Sequence, residues 1–132
     1  MKRALAALAA VALLALAGCT DKADTSNVDR RAVERWNYLI AHQAEKAWDY
    51  LTPGYRSTRT KDSWAQAMNT RPVQWKEAKF KDKECDAERC KVRVDVTYSV
   101  LMPGTAGKAT AASSTVNEIW LLVDGDWYFL PK

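Results

Sequence analysis

A single histidine, three cysteines and the want of any apolar run long enough to cross a bilayer set the first limits on this chain of 132 residues. His42 is the only side chain whose ordinary state titrates near neutral pH. It has no second histidine with which to share a metal ion, so a zinc site built on it and on the distant Cys85 and Cys90 is disfavoured, and no metal site is expected. Its place between Tyr38 and Lys46, on the polar side of a helical pattern, reads as solvated. The longest apolar run, Ala4 to Ala17, falls short of the roughly 20 residues that span a membrane. Lys and Arg do not cluster, which argues against a nucleic-acid surface. Carboxylates are scarce inside the strand-like stretches, and no second acid or base stands beside them, so a catalytic pair is not evident.

What is present begins with an address. The basic start Met1-Lys2-Arg3, the apolar run and the small pair Ala17-Gly18 have the order of an export signal over residues 1–18. Leu16-Ala17-Gly18-Cys19 resembles the lipobox of bacterial lipoproteins. The resemblance implies that the Cys19 thiol is joined to diacylglycerol, the signal peptide is cut off before it, and the new amino terminus is acylated with a chain such as palmitate. Small residues before Cys19 suit a narrow peptidase site, and a thiolate supplies the nucleophile for lipid transfer; the alternative is an ordinary signal peptide with a chance cysteine. Thr20, not Asp, follows Cys19. By resemblance to enterobacterial lipoproteins this sends the chain to the outer membrane, facing the periplasm, held by acyl chains worth about 0.8 kcal/mol per buried methylene. Loss of Lys2 and Arg3 leaves 18 basic residues against 16 acidic ones, a mild formal charge of +2. Residues 19–27 are polar and read as a flexible tether, and residues 28–132 suffice for one domain with one core.

Within that domain the clearest signal is Cys85 to Leu101. Val92, Val94, Val96, Tyr98 and Val100 alternate with Lys91, Arg93, Asp95, Thr97 and Ser99, the period of a strand with one wet and one buried face. The apolar face needs a cover, and the long amphipathic stretch from about Asp29 to Leu51 provides one, with Val28, Ala32, Val33, Trp36, Leu39, Ile40, Ala44, Ala47, Trp48 and Leu51 on one stripe. Thr52-Pro53-Gly54 is expected to stop this helix. A second, shorter helix is predicted over Lys61 to Asn69, capped by Thr60 or Asp62, with Trp64, Ala67 and Met68 on one side. Arg71-Pro72 forces extended backbone, and a parity change between Trp75 and Ala78 predicts a bulge near Lys76-Glu77.

Cys85 and Cys90 bracket a four-residue loop that sets them opposite each other across two strands. With Cys19 lipidated they form an even pair in an oxidising compartment, so a disulfide is expected, worth about 2 kcal/mol for so short a loop; a redox or metal role is the alternative. Met102 to Ala112 reads as a loop of small residues, Thr115 to Val123 as a strand, Asp124-Gly125-Asp126 as a turn and Trp127 to Leu130 as the closing strand. The predicted class is α+β: a long N-terminal helix and a short helix packed on a curved, four-stranded antiparallel sheet.

That order of elements, with Ala47 to Arg56 ending the first helical region and Val123-Asp124-Gly125-Asp126-Trp127 making the last hairpin, resembles the nuclear transport factor 2-like superfamily, which includes ketosteroid isomerases and polyketide cyclases. The resemblance implies a cone, a strongly curved sheet around a long helix, often with a pocket at its open end. Enzymes of the superfamily place an Asp, or an Asp with a His, inside the cone. Here Asp95 shares parity with Lys91 and Arg93 and is expected to face water, which leaves Glu118 as the one acid aimed near the pocket.

Glu118 reads either as a desolvated base or as a rim or ion-paired carboxylate. The second is expected, because a lone buried carboxylate is costly and no partner is evident from spacing; Glu118→Gln should then change stability by under about 1 kcal/mol. Six Trp and five Tyr pack a small core, or else Tyr55, Trp64, Trp75, Tyr98 and Trp120 line a pocket. The sequence therefore predicts a non-catalytic, lipid-anchored periplasmic domain that binds a small apolar ligand or a protein partner and needs no cofactor. A structural or scaffolding envelope lipoprotein and an isomerase- or cyclase-like enzyme are the alternatives, and a homodimer through the sheet is left open.

Overall fold

A computed structural model of the chain describes residues 24–104 and 106–132. The export signal, Cys19 and most of the tether lie outside the described residues. The order is α1 (Ser26–Ile40), α2 (Ala44–Ala47), a 3-10 turn (Trp48–Tyr50), α3 (Pro53–Arg56) and α4 (Lys61–Asn69), then β1 (Val73–Cys85), β2 (Arg89–Leu101), β3 (Ala109–Val123) and β4 (Asp126–Leu130). The strands form one antiparallel sheet in the order β1-β2-β3-β4, and the helices lie against one face of it. This is the α+β class expected from the alternation and the amphipathic stripe.

The helical stretch differs from expectation in its continuity. It starts at Ser26, inside the supposed tether, and ends at Ile40. His42 adopts φ 55°; its N–H donates to the Leu39 carbonyl at 3.2 Å and that of Gln43 to the Tyr38 carbonyl at 2.8 Å. These two bonds make a Schellman closure, with His42 where glycine is usual. The chain restarts at Ala44, whose N–H is met by Asn69 Oδ1 at 3.2 Å. The apolar stripe survives the break, since Val28, Ala32, Trp36, Leu39, Ala44, Ala47, Trp48 and Leu51 are all buried. Periodicity reports which side faces the core and is blind to a turn that preserves that side. Pro53 does not stop a helix either. It begins the short α3, where a missing N–H costs nothing, and Thr52 Oγ1 accepts from the Tyr55 N–H at 3.3 Å as cap.

α4 runs over the predicted residues, and Thr60 Oγ1 accepts from the Ser63 N–H at 3.3 Å. Trp64 and Ala65 are its buried residues, while Ala67 is exposed. In β1 the register shifts between Trp75 and Glu77, the expected bulge, and again between Phe80 and Asp82. Cys85 pairs with Cys90 across β1 and β2, Cα to Cα 4.1 Å, and the two sulfurs are joined. β3 begins at Ala109, six residues before its predicted start. Its first half is fully exposed and holds its shape through backbone pairing with β2, from Leu101↔Ala109 to Asp95↔Thr115. Ladder hydrogen bonds need no apolar side chain, which is why the small residues looked like a loop. Asp124 and Gly125 both have positive φ, 50° and 85°, and form the two-residue turn that suits a right-twisted hairpin.

The core lies between α1 and the middle of the sheet. Val92, Val94 and Val96 of β2 meet Val28, Ala32, Trp36 and Leu39 of α1, with Trp120 and Trp127 beside them. The opposite face of the sheet is polar. Arg93 makes a two-pronged ion pair with Asp82, and Lys81 Nζ lies 3.6 Å from Asp95, which is exposed as predicted.

Candidate functional site

Parity in β3 turns Glu118 inward with Val116, Trp120 and Leu122. Helical spacing in α1 does the same for Arg35, three residues after Ala32 and four before Leu39. The two charges meet inside. Arg35 is 3% exposed and Glu118 1%, and Arg35 Nη2 donates to Glu118 Oε1. Trp36 Nε1 donates to the same oxygen at 2.7 Å, and Trp120 Nε1 to Oε2 at 2.9 Å. Each carboxylate oxygen thus has a donor, and the charge is matched. The Arg35 guanidinium also lies over the Phe129 ring at 4.0 Å and the Trp36 ring at 5.0 Å, which suits a weakly hydrated planar cation.

The expectation for Glu118 is corrected in its surroundings and upheld in its pairing. It does have an arginine partner, but it solvates no rim. The partner escaped notice because Arg35 sits on the apolar stripe. One arginine on the core side of a helix together with one glutamate on the core side of a strand was the signal available.

Arg35 and Glu118 form part of the lining of a hollow of about 310 Å³, whose apolar wall comes from Trp64 and Met68 of α4, Val116 and Ile119 of β3 and Phe129 of β4. A wider, shallower hollow of about 610 Å³ continues from it between α3 and α4, and Tyr55, Trp64, Met68 and Arg71 line both. Local sequence explains how these side chains are held. The Thr52 N–H donates to the Phe129 carbonyl at 2.9 Å, and Leu51 makes a lone bridge to Phe129, which ties the start of α3, and with it Tyr55, to β4. The Thr60 cap fixes the start of α4. Trp48 and Trp64 rings pack at 5.6 Å.

Of the expected pocket residues, Tyr55, Trp64 and Glu118 come together here. Trp120 does not join them: it is wholly buried beneath the hollow, with its indole N–H on Glu118. Trp75 is half-buried and meets Trp36 edge to face at 5.6 Å. Tyr98 pairs with Trp75 across the strands, in the outer half of the sheet. Both are outside the lining of this hollow: Trp75 packs instead on Trp36 of α1, and Tyr98 stands opposite it on β2. Met68, Arg71 and Phe129, which the sequence reading did not single out as site residues, line the hollow instead.

A second polar knot lies on the outer side of α1. Tyr50 Oη donates to Glu34 Oε2 at 3.0 Å, Arg30 Nη1 donates to Glu34 Oε1 at 2.7 Å, and Arg31 lies over the Tyr50 and Tyr128 rings at 4.8 Å and 5.4 Å. Burial, and then the Glu34 carboxylate, push the Tyr50 hydroxyl up to about 12. His42 is exposed at its turn. Among the described residues no group of three or more His, Cys, Asp or Glu side chains could hold a metal ion.

Comparison with solved structures gives the fold. The chain is similar to a crystal structure described as an NTF2-like transpeptidase from Campylobacter jejuni, at 19% identity and a TM-score of 0.56, over 81% of this chain and 100% of that one. It is also similar to a solution structure of a protein containing a SEC-C motif from Rhodopseudomonas palustris, at 14% identity and a TM-score of 0.54, over 76% of this chain and 73% of that one. No family model matches the sequence. No curated protein matches it either. The fold is NTF2-like, and fold alone does not fix what the chain does.

Proposed function

We propose that the chain is a non-catalytic binding domain, anchored by lipid on Cys19 to the periplasmic face of the outer membrane, that takes a small apolar ligand into the hollow beside Arg35 and Glu118. The observation that carries this reading is the state of the one carboxylate in that hollow. Glu118 accepts from Arg35 and two indole N–H groups, which occupy three of the roughly four acceptor positions of its carboxylate and pair its charge, whereas the apolar side chains Trp64, Met68 and Phe129 line the hollow. The Campylobacter protein is named a transpeptidase, a reaction that needs a nucleophile. Here Cys85 and Cys90 are joined to each other, so neither is a free thiol nucleophile, which favours binding over transpeptidation through them. An envelope scaffold is the second reading, favoured by Leu101 and Met102, each 55% exposed at the far end of the β2–β3 hairpin.

Native mass spectrometry of the protein purified from detergent-solubilised membranes and freed of its lipid anchor tests the assignment. A retained small molecule that heat or solvent removes is the expected result. A co-purifying protein with an empty hollow would favour the scaffold, and turnover of a carbonyl substrate that Glu118→Gln abolishes would overturn the non-catalytic reading.

A further inference from the structure

The side chains around the two joined hollows are unbalanced in charge. Arg35, Arg59, Arg71 and Lys132 are among them against the single acid Glu118, and Glu118 is already matched by Arg35. Arg71 lines both hollows, is exposed, and has no hydrogen bond or ion pair among the described residues. Arg35, though almost wholly buried, keeps one donor unpartnered: its Nε has no hydrogen-bond partner while Nη2 serves Glu118. A free guanidinium at the mouth supplies a fork that matches a carboxylate.

We infer that the ligand is an anionic amphiphile, a small carboxylic acid whose apolar body lies against Trp64, Met68 and Phe129 and whose carboxylate is held by Arg71 at the junction of the two hollows. The inference rests on the hollow being a ligand site, and it adds the chemistry of the head group. The body is bounded by the 310 Å³ of the inner hollow, which admits a two-ring or short aliphatic acid and excludes a full phospholipid. The mouth side chains set the sign of the charge, because a cationic ligand would face Arg59 and Arg71 without an unengaged acidic side chain among the lining residues.

Naphthalene-2-carboxylate and naphthalene-2-carboxamide share one apolar body and differ in charge. Calorimetric titration of the purified chain with each, at low salt, should show one site and at least about tenfold tighter binding of the carboxylate, the scale of a charge-assisted hydrogen bond. Arg71→Gln should remove most of that advantage while weakening the carboxamide far less, and added salt should weaken the carboxylate more than the carboxamide. Arg71 is exposed, so the variant is expected to keep the parent melting curve, which is measured alongside. Equal affinity for the two probes, or a carboxylate preference indifferent to Arg71→Gln, overturns the anion inference and leaves the apolar site standing. Failure of both probes to bind overturns the site itself.

Discussion

Glu118 accepts from Arg35, Trp36 and Trp120 and is almost wholly buried, so its replacement is governed by what is left behind. Glu118→Gln keeps the shape but strands the buried Arg35 charge. The expected loss is about 3–5 kcal/mol, in place of the small change that a rim residue would give. Urea unfolding should show it as a lower midpoint at an unchanged slope. Adding Arg35→Met removes the stranded charge and should restore part of the loss, which a purely steric effect of Gln would not allow. Tyr50 provides a second measurement at this scale. Its hydroxyl is raised from about 10 in the unfolded chain to about 12 in the fold, so the folded state favours the protonated form. The stabilisation is fully present below about pH 10 and is lost as pH rises toward 12. Ultraviolet titration should find one of the five tyrosines ionising late, and Glu34→Gln should bring it earlier.

At the scale of elements, the sequence was most legible where side-chain chemistry and backbone need coincide. α4 was bounded by its Thr60 cap, β2 by its alternating valines, the β1 bulge by a parity change, and the last hairpin by Asp124-Gly125. It was least legible where backbone pairing alone decides. The first half of β3 has no apolar face of its own, and the Schellman closure at His42 leaves the apolar stripe intact. The candidate site was legible only in part, because Arg35 hides on a core stripe and strand parity alone does not tell that Trp75 packs on Trp36 of α1 rather than in the hollow. Two expected outcomes belong here. Replacing Cys85 and Cys90 together by Ser should cost about 2 kcal/mol without preventing folding, since the closed loop is short; thiol counting on unfolded, unreduced periplasmic protein should find neither free. Gly125→Ala should cost about 1 kcal/mol or more, because nothing lies within 4 Å of the added Cβ and the penalty is that of φ 85° alone.

For the whole molecule the question is how the domain is carried. Among the described residues its ties begin at Asp24. The Trp127 indole N–H donates to the Asp24 carbonyl at 2.9 Å, and Lys83 Nζ reaches the Thr25 carbonyl at 2.7 Å. Five residue steps separate Asp24 from Cys19, a reach of no more than about 18 Å for extended chain. A lipid on Cys19 would therefore hold the domain against the bilayer surface rather than out in the periplasm. The hydrogen bonds of the Arg35 and Glu118 cluster are made by residues well after Asp24. Anchoring and folding should then separate cleanly. Cys19→Ser is expected to abolish labelling by a radioactive fatty acid and to move the chain to the soluble fraction, or to leave it unprocessed. Any soluble form should unfold at the urea midpoint of the parent and bind the same probes. A Cys19→Ser chain that still labels and sediments with membranes would show that the anchor is elsewhere. A soluble one that unfolds far earlier would show that residues before Asp24 belong to the fold after all.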